Sequence, residues 1–215
     1  MKHEWRKEEK EIYLPKQTPT ILEIPKMKCL TISGEGNPNN NQDFGSRIEA
    51  LYSLSYAIKM MPKKGYTPDG YFEYTVYPLE GIWSLNEEGK NSEVFNKDNL
   101  IYKIMIRQPE FVTDEVFYKA LENTKQSKNN PLLDEVTLEE ITDGFCIQML
   151  HIGPYDDEPK TFAQMEQFMN ENNYEKRILE HKEIYLSNFN KTAPEKLKTV
   201  LRYFIKKKEA DLWKQ

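Results

Sequence analysis

The chain has 215 residues, 38% apolar and 30% charged, with a net charge of −5. This describes one large or two small globular domains whose core needs no disulfide staples. The acidic balance excludes a nucleic-acid footprint, which needs a basic face, and no apolar run approaches the roughly 18 residues of a membrane span.

In chain order, residues 1–18 are charged, carry neither a secretory nor a lipidation signal, and read as a short N-terminal arm. A cytoplasmic location is therefore expected. Residues 20–34 alternate like strands, with a break at Pro25, and an Asn-rich loop follows. Ile48, Leu51, Tyr52, Ser55, Ile58 and Met61 fall at helical spacing, which predicts a helix over 43–61, closed by Pro62 and Gly65. Strands are expected at 71–79 and 100–107, separated by a turn-rich stretch containing Gly81, Trp83 and Gly89. Thr113 suits the N-cap of a second helix, because its hydroxyl accepts from an otherwise unpaired first-turn amide. Residues 136–141 and 145–152 flank Asp143-Gly144, a pair that favours a tight hairpin turn. A third helix starts near Pro159, with Phe162, Met165, Phe168 and Met169 on one side. Strands at 178–186 and about 196–204 close the fold, and the tail from 207 is polar apart from Leu212 and Trp213.

The chain repeats itself. Cys29 to Gly36 aligns without a gap on Cys146 to Gly153, cysteine on cysteine and glycine on glycine. Each stretch leads into a polar loop, an amphipathic helix and two strands. Two such strand–helix–strand–strand units give an α+β fold: antiparallel sheets, two main helices on one side, and the other face free to form a concave cleft. The two cysteines have no metal-ligand spacing and read as reduced core thiols. Three histidines without an HExxH, and no serine in a GxSxG elbow, argue against a metal site or a catalytic triad. Gly34-x-Gly36 lacks the third glycine and the Lys-Ser/Thr of a phosphate cradle.

The runs His151-Ile-Gly-Pro-Tyr-Asp-Asp-Glu-Pro159, His181-Lys-Glu-Ile-Tyr-Leu-Ser-Asn188 and Gly70-Tyr-Phe-Glu-Tyr-Thr-Val-Tyr-Pro-Leu-Glu-Gly-Ile-Trp83 resemble the GyrI-like small-molecule-binding family, of SOUL/GyrI-type fold. The resemblance covers about residues 19–206. The first-half stretch and Ile104-Met-Ile-Arg-Gln-Pro109 are similar to its stand-alone branch rather than to members fused to a DNA-binding domain. It implies the duplicated fold and a cleft between the two halves for flat, hydrophobic, often cationic compounds. It also implies an activity of the stand-alone branch, the hydrolysis of cyclopropanoid alkylating toxins, and no cofactor.

On that resemblance Glu183 is the expected catalytic residue, although a strand glutamate is ordinarily just solvated. Alternation puts His181, Glu183 and Tyr185 on one face, and Ile184 and Leu186 on the other, expected to face the helices. In an apolar cleft a carboxylate becomes a better base near neutral pH and also attracts a cationic ligand. Tyr155, at the end of the IGPY loop, or Tyr185 would support charge developing on a carbonyl oxygen. Tyr185, Trp83, Tyr77 and His151 are the expected ligand contacts, and no metal ligand is assigned. Aligning Tyr77-Pro-Leu with Tyr185-Leu-Ser places Thr75 opposite Glu183. The rival to hydrolysis is drug capture without chemistry. Inhibition of DNA gyrase follows only from the family's name, and no protein partner is identified.

Overall fold

A computed structural model of the chain describes residues 2–209; Leu212 and Trp213 lie outside the described residues. The arm forms two single-turn helices, α1 (Trp5–Glu8) and α2 (Lys10–Tyr13), which bury Trp5 and Tyr13. Pro25 divides the next stretch into β1 (Thr20–Ile24) and β2 (Met27–Glu35). α3 (Gln42–Lys59) follows, with the Asn41 side chain accepting from the Asp43 amide at its start. The next strand is β3 (Leu79–Leu85), which lies after the span expected from the sequence. Pro78 has no amide to donate to a ladder, so residues 71–78 stay irregular and run beside the arm, bridged at His3 and Tyr74. The single turn α4 (Glu87–Lys90) leads to β4 (Leu100–Arg107). Thr113 then caps α5 (Asp114–Ser127), accepting from the Val116 amide at 3.4 Å.

The second half contains β5 (Thr137–Ile141), β6 (Gly144–Ile152), α6 (Glu158–Glu171), β7 (Tyr174–Tyr185) and β8 (Lys198–Lys207). The strands form one eight-stranded sheet in the order β1-β6-β8-β7-β3-β4-β2-β5, with antiparallel neighbours throughout. The bounds of β1 and β2 recur in β5 and β6 at the interval that separates Cys29 from Cys146, so the repeat is structural. The halves exchange their edge strands: β1 pairs with β6, and β5 pairs with β2. Asp143-Gly144 therefore does not close a hairpin. Gly144 takes the positive φ of 67° that suits its type, but the chain there crosses from one half to the other.

Both halves place their helices on the same face. α3 covers β2 and β4 and packs against α5, and α6 covers β6 and β7. Under α3 and α5 lie Leu30, Ile32, Ile104 and Ile106; under α6 lie Ile147, Met149, Leu201 and Tyr203. The arm covers the opposite face and buries a network of charges there. Lys182 Nζ is 3.2 Å from Glu80 and 2.7 Å from Asp143, and Arg202 donates to Asp143 at 2.6 Å. Arg202 also donates to Gln148 and to the carbonyl of Ile12, and Gln148 donates to the carbonyl of Glu11. The arm is thus tied to the sheet by side chains that could not otherwise be buried.

Burial raises the Asp143 carboxyl, but Lys182 and Arg202 outweigh it and hold the group below its ordinary value. For Lys182, burial lowers and Glu80 and Asp143 raise, and the partners win. A depressed acid stabilises above its unfolded pKa and loses that contribution as pH falls through its folded value. An elevated lysine stabilises below its unfolded pKa and fails as pH rises through its folded value. The network therefore supports the fold from about pH 4 to about pH 10. Asp143→Ala leaves Arg202 buried without a counter-charge and Lys182 with Glu80 alone. The expected loss is about 3–5 kcal/mol, measured by urea unfolding at pH 7, and a loss below about 1 kcal/mol would refute the account.

Candidate functional site

The gap between α3 and α6 is floored by the central pair β3 and β7. Their register pairs Leu79 with Tyr185, Gly81 with Glu183 and Trp83 with His181, and these six face the helices. Glu80, Lys182 and Ile184 face the arm. The expectation that Ile184 points to the helices and Glu183 to a free face is thus inverted. Alternation fixes which residues share a face; it does not say which face the helices cover.

Glu183 is 9% exposed and accepts on both oxygens: from His181 Nε2 at 2.9 Å and from the Tyr185 hydroxyl at 2.7 Å. Trp83 Nε1 in turn donates to the Tyr185 oxygen at 2.8 Å. The result is a chain of donors, Trp83 to Tyr185 to Glu183, that fixes the position of the carboxylate. Burial, then the charge on Glu183, holds the Tyr185 hydroxyl well above its usual pKa, so it remains a donor. Gly81 provides the room. A Cβ there would lie 2.8 Å from Trp83 Nε1 and 3.4 Å from Ile104 Cγ2.

Aromatic rings surround this chain. Trp83 lies against Phe44 of α3 and Tyr102 of β4, with ring centres 5.9 and 5.2 Å away. From the α6 side, Phe162 meets His181 edge-on at 4.9 Å, and Tyr155 meets Tyr185 edge-on at 6.1 Å. Tyr155 is 38% exposed, and burial followed by the nearby charge of Glu183 pushes its hydroxyl up to about 12. The carboxylate is thus nearly shut from solvent, with Tyr155 the most exposed of the rings around it. Cavities of about 290 and 570 Å³ lie elsewhere, one against His151 and Thr161 and the other against Arg6, Leu186 and Lys198, and Glu183 lines neither.

The structure brings Glu183, Tyr185, Trp83 and Tyr155 together. Tyr77 is elsewhere. It lies among the arm's residues, donates to Glu9 at 2.7 Å, and is covered by the Arg107 guanidinium at 4.6 Å. The alignment that set it against Tyr185 fails because Tyr77 precedes the strand. The ladders pair Cys29 with Arg107 and Cys146 with Phe204, then Gly81 with Ile104 and Glu183 with Leu201. Gly81 is therefore the counterpart of Glu183, and Trp83 that of Tyr185. His151 has both ring nitrogens engaged: Nε2 donates to the Pro154 carbonyl at 3.1 Å, which leaves Nδ1 to accept from Thr161 at 2.9 Å. It ties the IGPY loop to α6.

Glu158, the first residue of α6, is a site residue that the sequence reading passed over. It is buried, and burial followed by the charge on Glu183 pushes its carboxyl up to about 9. The sequence signal was available in the acidic run Asp156-Asp157-Glu158, but nothing in it shows which member turns inward. Among the described residues, no cluster of three or more His, Cys, Asp and Glu side chains is arranged to hold a metal, and no helix is long and apolar enough to cross a membrane.

Solved structures of similar chains come from Listeria innocua. A hydrolase is 35% identical with a TM-score of 0.88, over 96% of this chain and 100% of its own. An uncharacterized conserved protein is 36% identical with a TM-score of 0.87, over 95% and 100%. The C-terminal domain of EcmrR shares the fold at 13% identity and a TM-score of 0.52, over 88% and 98%. No curated protein matches. The pattern of the GyrI-like small molecule binding domain matches residues 17–206, and the chain belongs to that family.

Proposed function

We propose that this chain takes flat, hydrophobic small molecules between α3 and α6 and hydrolyses those that carry a strained, electrophilic ring such as a cyclopropane conjugated to a dienone. The observation that carries this reading is the buried Glu183 carboxylate, held by His181 and Tyr185 inside an aromatic enclosure. Similarity to a Listeria innocua hydrolase along the whole of that chain supports it.

Two hydrogen bonds leave lone pairs on the Glu183 oxygens for a water. Glu183 orients that water against the ring carbon and takes its proton. The ring bond breaks, and its electron pair flows to the carbonyl oxygen. Tyr185 already donates to Glu183, so it positions the base, and the hydroxyl free to meet the oxygen is that of Tyr155. Trp83 orients Tyr185 and offers its face to the ligand. Because the carboxylate is nearly sealed, the Tyr155 ring must move aside for entry, which also keeps bulk water from the reactive intermediate.

Capture without chemistry is the second reading. A buried anion among aromatic rings also suits a planar cation, whose charge both carboxylate and ring faces attract.

Mass spectrometry of a cyclopropyl-dienone compound incubated with the protein separates the two, since hydrolysis adds one water and capture returns the compound unchanged. Glu183→Gln should keep ligand affinity and lower turnover by about 10²- to 10⁴-fold; wild-type turnover in that variant would remove the base assignment. Tyr185→Phe deletes a hydrogen bond worth about 1 kcal/mol and should slow turnover by roughly fivefold. Gly81→Ala, which drives a methyl against the Trp83 nitrogen, should slow it comparably and quench or shift indole fluorescence. Unaltered kinetics in both would detach the donor chain from catalysis.

A further inference from the structure

We propose that Glu158 is the acid of the site: its protonated carboxyl gives a proton to the substrate's oxygen while Glu183 draws one from the attacking water. This rests on the reading of Glu183 as base and narrows it.

The two carboxyls are placed differently. Glu183 accepts from His181 and Tyr185, so a negative charge there is satisfied. Glu158 is 6% exposed, and its Oε1 has no hydrogen-bond partner among the described residues. A buried polar atom without a partner calls for an explanation, and a ligand that completes it is one. The N-terminus of α6 favours an anion, which by itself would ionise Glu158. Burial and the neighbouring charges of Glu183 and Asp156 outweigh that, and raise its pKa to about 9. Lys97, the cation on this side, forms its ion pair with Asp156 at 3.1 Å. The charges that act on Glu158 are those of Glu183 of β7, Asp156 of the IGPY turn and Lys97 before β4, and its own charge acts in turn on Tyr155 and Tyr185. At neutral pH Glu158 therefore holds its proton.

Each atom in the step has a place. The water oxygen bonds to the ring carbon, and the ring carbon–carbon bond breaks. Its electrons pass through the dienone to the oxygen, which takes the Glu158 proton and becomes a phenol. Glu183 holds the proton from water, and its transfer back to Glu158 through a water molecule restores the site. A carboxyl near 9 matches a product phenol near 10 better than does Tyr155 near 12, so Glu158 transfers the proton and Tyr155 hydrogen-bonds. With Glu158 protonated, the site suits neutral or singly cationic planar substrates whose breaking bond is conjugated to a carbonyl.

The test is the pH dependence of turnover of a synthetic spirocyclopropyl-cyclohexadienone. The wild-type rate should fall as pH rises through about 9, where Glu158 loses its proton. Glu158→Gln, close in shape, should lower the rate constant by about 10²-fold and abolish that alkaline fall, with the circular dichroism of the fold unchanged. Tyr155→Phe should still show the fall near 9, which separates the carboxyl from the phenol. A wild-type rate in Glu158→Gln, or an alkaline fall that survives the substitution, overturns the assignment of the acid. If Glu183→Gln still abolishes turnover in that case, the base reading stands alone; if both variants turn over normally, both fail.

Discussion

The pairing of β3 with β7 holds the halves together and decides what each face of the sheet does. Its register sets Gly81 against Glu183 and Ile82 against Lys182. Because side chains alternate, adjacent residues on these strands serve opposite purposes. Glu80 and Lys182 meet under the arm, while Gly81 and Glu183 meet between the helices. A slip of one residue would bring Lys182 into the aromatic enclosure and Glu183 into the charged network. The buried ion pairs make that slip costly, since each charge would lose its partner.

Duplication explains why the site is single. Gly81 and Glu183 are counterparts related by the same axis that pairs them, and so are Trp83 and Tyr185. Two glutamates at the paired positions would set like charges against each other in a dry site, which is strongly unfavourable. One half therefore gives the carboxylate and the other gives an absent side chain. The space so released is occupied by the Trp83 indole, which reaches across to Tyr185.

Much of this was legible in the sequence, and the failures have physical causes. Pro25, Thr113 and Pro159 acted locally, through missing amides and a capping hydroxyl, and the elements they bound fell where expected. The Cys29–Cys146 repeat carried over to the strand bounds because it reflects a repeated backbone. Asp143-Gly144 misled because the same dipeptide serves a turn or a buried ion pair, and only the distant Lys182 and Arg202 select the second. Tyr77 misled because Pro78 delays the strand and breaks the alternation on which the alignment relied. Glu183, Tyr185 and His181 were grouped correctly by alternation within one strand. Glu158 was not, because its partner lies on another element, brought near by the packing of α6 on β7.

The placement of Glu158 also bears on why the arm matters to a site it does not touch. Two carboxyls in one enclosure repel when both ionise, and that repulsion is relieved either by a proton or by separation. A proton is the relief only where the strands cannot yield. β7 is fixed from behind by Lys182, which is locked to Glu80 and Asp143, and Asp143 is locked to Arg202. Arg202 in turn donates to the Ile12 carbonyl of the arm. With β7 tied down there, Glu183 is held beside α6, and burial followed by the charge on Glu183 raises the Glu158 carboxyl. The arm thus bears on the proposed acid and base through rigidity: loosening the network on one face would let the carboxyls part on the other, and the repulsion between them would fade with the distance.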